Sequence, residues 1–249
     1  MAPLAEAVAL AAVLFGAATQ RISGMGFALV AAPFLVVVLG PIDGVLVVNT
    51  CGALTAGIIL ARVFRRVEWA RCGRMLIGAA AGTIPGAILV GAVDSAWLEA
   101  GIGVTLLVTI GIQLRTSRRT LAATAVRDVA VGSISGFMNV TAGVGGPAMS
   151  TYALASRWNL TSFAATMQAY FLALGLTSLG AKAVFAHPHL PALGVWFWIL
   201  VLAACLVGMG TGELLVRVVS PRVVRIMLIA VAGAGAAATT ARGVIDLLG

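Results

Sequence analysis

The sequence predicts an all-α membrane protein built from two inverted repeats, each a re-entrant or broken helical hairpin followed by three transmembrane helices. Three observations lead there. Of 249 residues, 61% are hydrophobic and 10% charged, with a mean hydropathy of +1.10, so most windows of about 18 to 20 residues meet the test for a spanning helix. One short glycine phrase interrupts the two longest apolar stretches, first as Gln20-Arg21-Ile22-Ser23-Gly24-Met25-Gly26-Phe27 and again as Asn139-Val140-Thr141-Ala142-Gly143-Val144-Gly145-Gly146. Amides and glycines also keep a constant offset of 119 residues between the halves: Gln20 with Asn139, Gly24 with Gly143, Gly26 with Gly145, and Asn49 with Gln168. After an insertion of seven residues, Gly82 and Gly86 meet Gly208 and Gly212.

The first repeat, 1–119, opens with the stretch 3–39. As one helix it would be roughly 55 Å long at 1.5 Å per residue, against about 30 Å of hydrocarbon, so it folds back as a hairpin at the glycine phrase. Its apolar start lacks the charged n-region of a cleaved signal. Helix 42–61 ends at Arg62, Arg65 and Arg66, helix 75–93 lies between Arg74 and Asp94, and helix 97–114 runs to Arg115, Arg118 and Arg119. The second repeat, 120–249, repeats the order with a hairpin at 121–156 and helices at 161–185, 193–216 and 223–248. His187 and His189 sit in a proline-flanked loop, and Arg217, Arg222 and Arg225 mark the last turn-around.

Arginine-rich loops stay in the cytoplasm. The loop 62–74 therefore faces inward, whereas its repeat counterpart around His187 reads as external. The halves are then inverted, each hairpin enters and leaves on one side, and both termini are external. Two hairpin forms fit: re-entrant half-helices with the glycines at the midplane, or two full spans with the glycines at a water interface. The first is favoured because Arg21 is the only charge in either phrase, and irregular backbone at depth is tolerated where it lines a cavity.

A helix that begins inside the membrane offers free N–H groups and a positive dipole end, which together attract an anion. The substrate-binding set read from the sequence is Gln20, Arg21, Ser23, Gly24, Met25, Gly26, Asn49, Asn139, Thr141, Gly143, Gly145, Gly146 and Gln168. The glycines let a ligand approach the backbone, and the buried amides must face protein or substrate rather than lipid. Arg21, deep in a re-entrant hairpin, calls for an anionic partner such as the substrate. Gly82, Gly86, Gly208 and Gly212, spaced four apart, fit close helix packing better than binding.

Other classes are excluded. The net charge of +8 lies at segment ends rather than on one solvated face with stacking aromatics, which argues against nucleic acid. Cys51, Cys72 and Cys205 lack metal-type spacing and read as small core residues. No enzyme motif is present, so neither catalysis nor a metal or other cofactor is expected.

Ser23-Gly24-Met25-Gly26-Phe27 followed by Pro33, with Gly143-Val144-Gly145-Gly146-Pro147 in the second half and Val67-Glu68-Trp69 between, resembles the TauE/SafE family of sulfite and organosulfonate exporters over the whole chain. The resemblance implies a multi-pass protein of the bacterial inner membrane that exports sulfite, sulfoacetate or a related small anion. Its partners would be that anion and the lipid bilayer, with a homodimer as an open option. An importer of small carboxylate or sulfur-containing anions on the same scaffold is the alternative, and a non-transporting membrane scaffold the rival of another class.

Overall fold

A computed structural model describes residues 3–24, 26–114, 122–185, 193–215 and 221–248, with the backbone alone at 23, 113–114 and 221–228. Among them are ten α-helices and no strand. They are α1 (Pro3–Ser23), α2 (Phe27–Leu39), α3 (Pro41–Val63), α4 (Trp69–Ala92), α5 (Ser95–Leu114), α6 (Ala125–Ala142), α7 (Gly146–Ala155), α8 (Leu160–Phe185), α9 (Val195–Leu215) and α10 (Pro221–Leu248), with one 3-10 turn at Phe64–Arg66. Six are long and apolar enough to cross a membrane: α1, α3, α4, α5, α8 and α9. The chain is a multi-pass membrane protein. Met25, the 115–119 arginines, His187, His189 and Arg217 lie outside the described residues, as do the side chains of Ser23, Arg222 and Arg225.

Both long apolar stretches break at their glycine phrases, but unequally. The first divides into arms of 21 and 13 residues, the second into arms of 18 and 10. The expected pair of half-helices is therefore corrected to one long and one short arm, and α1 at roughly 32 Å has the length of a full span. The reason lies in the sequence: the glycines sit past the middle of each stretch. Helix α4 begins at Trp69, ahead of the 75 read from hydropathy, because Arg71 and Arg74 in its first turns are matched by Asp128 of α6.

The heaviest packing joins α4 to α6, α5 to α10, α1 to α9 and α3 to α8. Small residues permit it. A Cβ on Gly78 or Gly82 of α4 would strike the carbonyl oxygens of Val129 or Ser133 on α6, and one on Gly208 or Gly212 of α9 would strike those of Leu14 or Ala18 on α1. This is close backbone approach through small residues, the usual means of helix association in lipid. One apolar cluster sits around Phe27, Leu35, Val48 and Cys51 with Cys205, and a second around Met75, Met149, Met167 and Tyr170 with Cys72. All three cysteines are free and buried.

Gly82→Val drives a side chain into fixed backbone, so it should cost about 3 kcal/mol, the upper end for overpacking. Gly180→Val, where a Cβ meets nothing within 4 Å, should leave thermal unfolding in detergent unchanged.

Candidate substrate site between the two helix breaks

The two breaks have one geometry. Gly24 has φ +83° and Gly143 φ +73°, the left-handed region that suits glycine. The Gly24 N–H donates to the Gln20 carbonyl at 2.8 Å and the Gly143 N–H to the Asn139 carbonyl at 2.8 Å. Two residues on, Gly26 (φ −84°, ψ −11°) and Gly145 (φ −86°, ψ −17°) start α2 and α7. Residues related by the 119-residue offset thus share both a conformation and a hydrogen bond. Pro147 occupies the first turn of α7, where no N–H is needed.

Freed carbonyls at each break are met by side chains from within the protein. Gln168 Nε2 of α8 donates to the Gly24 carbonyl at 2.9 Å and to the Ala164 carbonyl at 3.1 Å. Ser135 Oγ of α6 donates to the Gly145 carbonyl at 2.8 Å. At the centre of the molecule, Asn139 Nδ2 donates to Asn49 Oδ1 at 2.7 Å and to Ser178 Oγ at 2.9 Å.

Between the breaks is a cavity of about 40 Å³, whose walls include Gln20, Asn49, Asn139, Gly143, Gly145 and Gly146. Phe27, Phe171 and Gly175 close it with apolar surface. Gln20 and Asn49 are 3% and 4% exposed, and their amide nitrogens, Gln20 Nε2 and Asn49 Nδ2, have no hydrogen-bond partner. A buried donor left unpaired costs about 1–3 kcal/mol. Two such donors in one cavity form a place for an acceptor.

The remaining predicted residues fall elsewhere. Thr141 Oγ1 donates to the Phe137 carbonyl at 2.7 Å and lines a separate apolar groove against α5. Gly24, Gly26 and Gln168 shape the break without lining the cavity. Arg21 is turned away: its Nε donates to Glu213 Oε2 of α9 at 2.6 Å, and Arg62 Nη1 lies 3.5 Å from the same oxygen. The anionic partner that Arg21 required comes from the protein. Residues missed in the sequence are Ser135, Ser178, Phe171 and Gly175. The first two are common helix residues without a local signal, though Gly175 and Phe171 fall on the Gln168 face of α8, where helical spacing places them.

The second break is anchored by an ionic cluster. Asp128 of α6 is 1% exposed and accepts from Arg71 Nε at 3.1 Å, Arg74 Nε at 3.0 Å and the Tyr152 hydroxyl of α7 at 2.8 Å. The Arg71 guanidinium lies 3.5 Å from the centroid of the Trp158 ring, and Trp158 Nε1 donates to Glu68 at 2.7 Å. Such a carboxylate is shared by α4, α6 and α7 and cannot be removed without stranding two cations.

A family model described as sulfite exporter TauE/SafE matches residues 8–239. The chain belongs to the TauE/SafE sulfite exporter family. The match takes in both breaks, every cavity residue and the ionic cluster, and a TauE/SafE protein is a membrane transporter rather than an enzyme. No curated protein and no solved structure matches the chain.

Gly143→Ala should lower stability by about 1–2 kcal/mol, the cost of a side chain in left-handed backbone, and more than Gly24→Ala does. The added Cβ at 143 would lie 3.2 Å from Val48 Cγ1, whereas at 24 the nearest atom is 3.7 Å away. Gly145→Ala has ordinary backbone angles and instead presses on Ser135 Oγ at 2.6 Å. Thermal unfolding of the three variants tests the order.

Proposed function

We propose that this transporter exports a small oxyanion, sulfite above all, across the bacterial inner membrane, holding it between the two helix breaks. The observation that carries the reading is the pair of orphan amide donors, Gln20 Nε2 and Asn49 Nδ2, buried in one cavity. Both are donors, which suits an anion. A cavity of about 40 Å³ has room for about three waters, a space closer to sulfite than to sulfoacetate. The family supports the substrate class. With the cell interior negative, each expelled negative charge gains about 2.3 kcal/mol per 100 mV, so export of the anion needs no proton relay.

Inverted repeats, 1–119 and 120–249, belong to the same reading. Their support is reciprocal packing: α1 rests on α9 while α6, its counterpart, rests on α4, the counterpart of α9, and α3 with α8 and α5 with α10 are pairs of counterparts. Arg21 and Glu213 lie at the ends of α1 and α9 beside Arg62 at the end of α3, and Arg242 of α10 meets both Glu99 of α5 and the Val37 carbonyl of α2. These contacts suit a first hairpin open to the outside and a second, tied to Arg71 and Arg74, open to the cytoplasm.

Asn49→Leu and Gln20→Leu should each weaken sulfite binding by about tenfold, the value of one hydrogen bond of about 1.4 kcal/mol. Sulfite-dependent thermal stabilisation and counterflow in vesicles read this, and unchanged affinity in both variants would exclude the cavity as the site.

Cysteine labelling near Leu248 should reach the residue from the external face only. Labelling from the cytoplasm would overturn the inverted topology.

A further inference from the structure

Lys182 is the single lysine of a sequence whose other basic residues are all arginine. It sits in the last turn of α8 and is only 5% exposed, yet its Nζ has no hydrogen-bond partner. The arginines that bridge helices are different: Arg21, Arg71, Arg74 and Arg242 each reach a carboxylate. A buried, unpaired ammonium is costly, and its retention at this place needs a reason.

Its position supplies one. At 3.6 residues per turn, Gln168, Phe171, Gly175, Ser178 and Lys182 lie within about 40° of a common line on α8. Phe171 and Gly175 wall the cavity, Gln168 caps the first break, and Ser178 accepts from Asn139. Lys182 follows one turn beyond Ser178 and about 10 Å beyond Gly175 along the same face, toward the end of α8 at Phe185. Beyond the cavity, the same face of α8 thus carries Ser178 and then Lys182. Asp43, in the first turn of α3, acts on the Lys182 charge but supplies no hydrogen bond to Nζ.

We propose that Lys182 is a second anion-binding station, taking the oxyanion from the amide cavity as it moves toward the Phe185 end of α8. The inference rests on the transport reading above. A lysine suits a station better than an arginine does, because its ammonium is a compact point charge on a mobile stem and lacks the planar fork that locks a carboxylate or oxyanion in place. An anion that is to move on must be held by something that can let go.

The test uses the full chain in oriented vesicles, with sulfite exchange measured while sulfite is varied on each face in turn. Lys182→Met should raise the half-saturating sulfite concentration by about ten- to a hundredfold at the Phe185 face, the loss of one hydrogen bond to a charged group, with the opposite face within about twofold. Lys182→Arg should keep most of the affinity and slow exchange. Without sulfite, Lys182→Met should melt no lower than the parent, because it removes an unpaired buried charge. Unchanged affinity at the Phe185 face overturns the proposal, as does an equal loss at both faces. A lower melting temperature for Lys182→Met without sulfite also overturns it, by making Lys182 a structural partner of Asp43. A parent protein that neither binds nor exchanges sulfite defeats the transport reading itself, and the station with it, an outcome seen before any variant is compared.

Discussion

A helix can stop inside a bilayer only if the backbone groups it frees are met by protein, because hydrocarbon offers no partner. At both breaks in this chain, protein groups meet freed backbone. The turn closes on its own helix through Gly24 to Gln20 and Gly143 to Asn139, and a side chain from inside the bundle donates to a freed carbonyl, Gln168 at one break and Ser135 at the other. Each break must therefore stay against α8 or α6. The cavity between the breaks follows from this, since residues held near the turns to satisfy backbone leave Gln20 and Asn49 with donors to spare. Fold and site draw on one network.

The two halves share this geometry but not their anchors. Asp128 binds the second hairpin to α4 through two arginines and to its own returning arm through Tyr152. Ala9 and Phe197, at the offsets that match Asp128 and Arg71, are instead apolar residues of the core around the first hairpin. The flanks differ as well. Helix α10 closes on the first hairpin, with the Thr239 hydroxyl donating to the Pro33 carbonyl at 3.2 Å, whereas apolar spaces of about 470 and 270 Å³ separate α5 from α6 and α7. One hairpin is clasped along its length, and the other is fixed ionically at one end with open volume beside it.

Much of the architecture was legible because lipid makes the code simple: long apolar runs are helices, and a run too long for one pass must turn where glycines fall. The offset of 119 residues proved informative beyond its glycines, since it pairs positions that also share φ, ψ and hydrogen bonds. Gln20, Asn49 and Asn139 were visible as amides out of place in apolar sequence, and they meet at the cavity. Arg21 was misleading for a physical reason. Charge in an apolar segment signals that a partner exists, but Glu213, 192 residues away, has no local pattern linking it to Arg21. Asp128 was hidden in the same way: beside Arg127 it looks like a helix end, and only the tertiary fold brings Arg71 and Arg74 to it.

The distribution of positive charge bears on how a chain of net charge +8 would, on the proposed reading, pass an anion without trapping it. Arg65, Arg66, Arg127 and Arg157 are exposed, and exposed cations of this kind raise the local anion concentration in water. Arginines that bridge helices are matched by Glu213, Asp128 and Glu99, so their forks are occupied and add little net field at the cavity. What the central cavity presents is neutral: amide N–H donors and the backbone of two glycine turns. A guanidinium there would bind an oxyanion in bidentate fashion and roughly twice as strongly per bond, deepening the well from which it must escape. On the transport reading proposed above, neutral donors in a narrow space replace the anion's water yet leave the barrier to departure low.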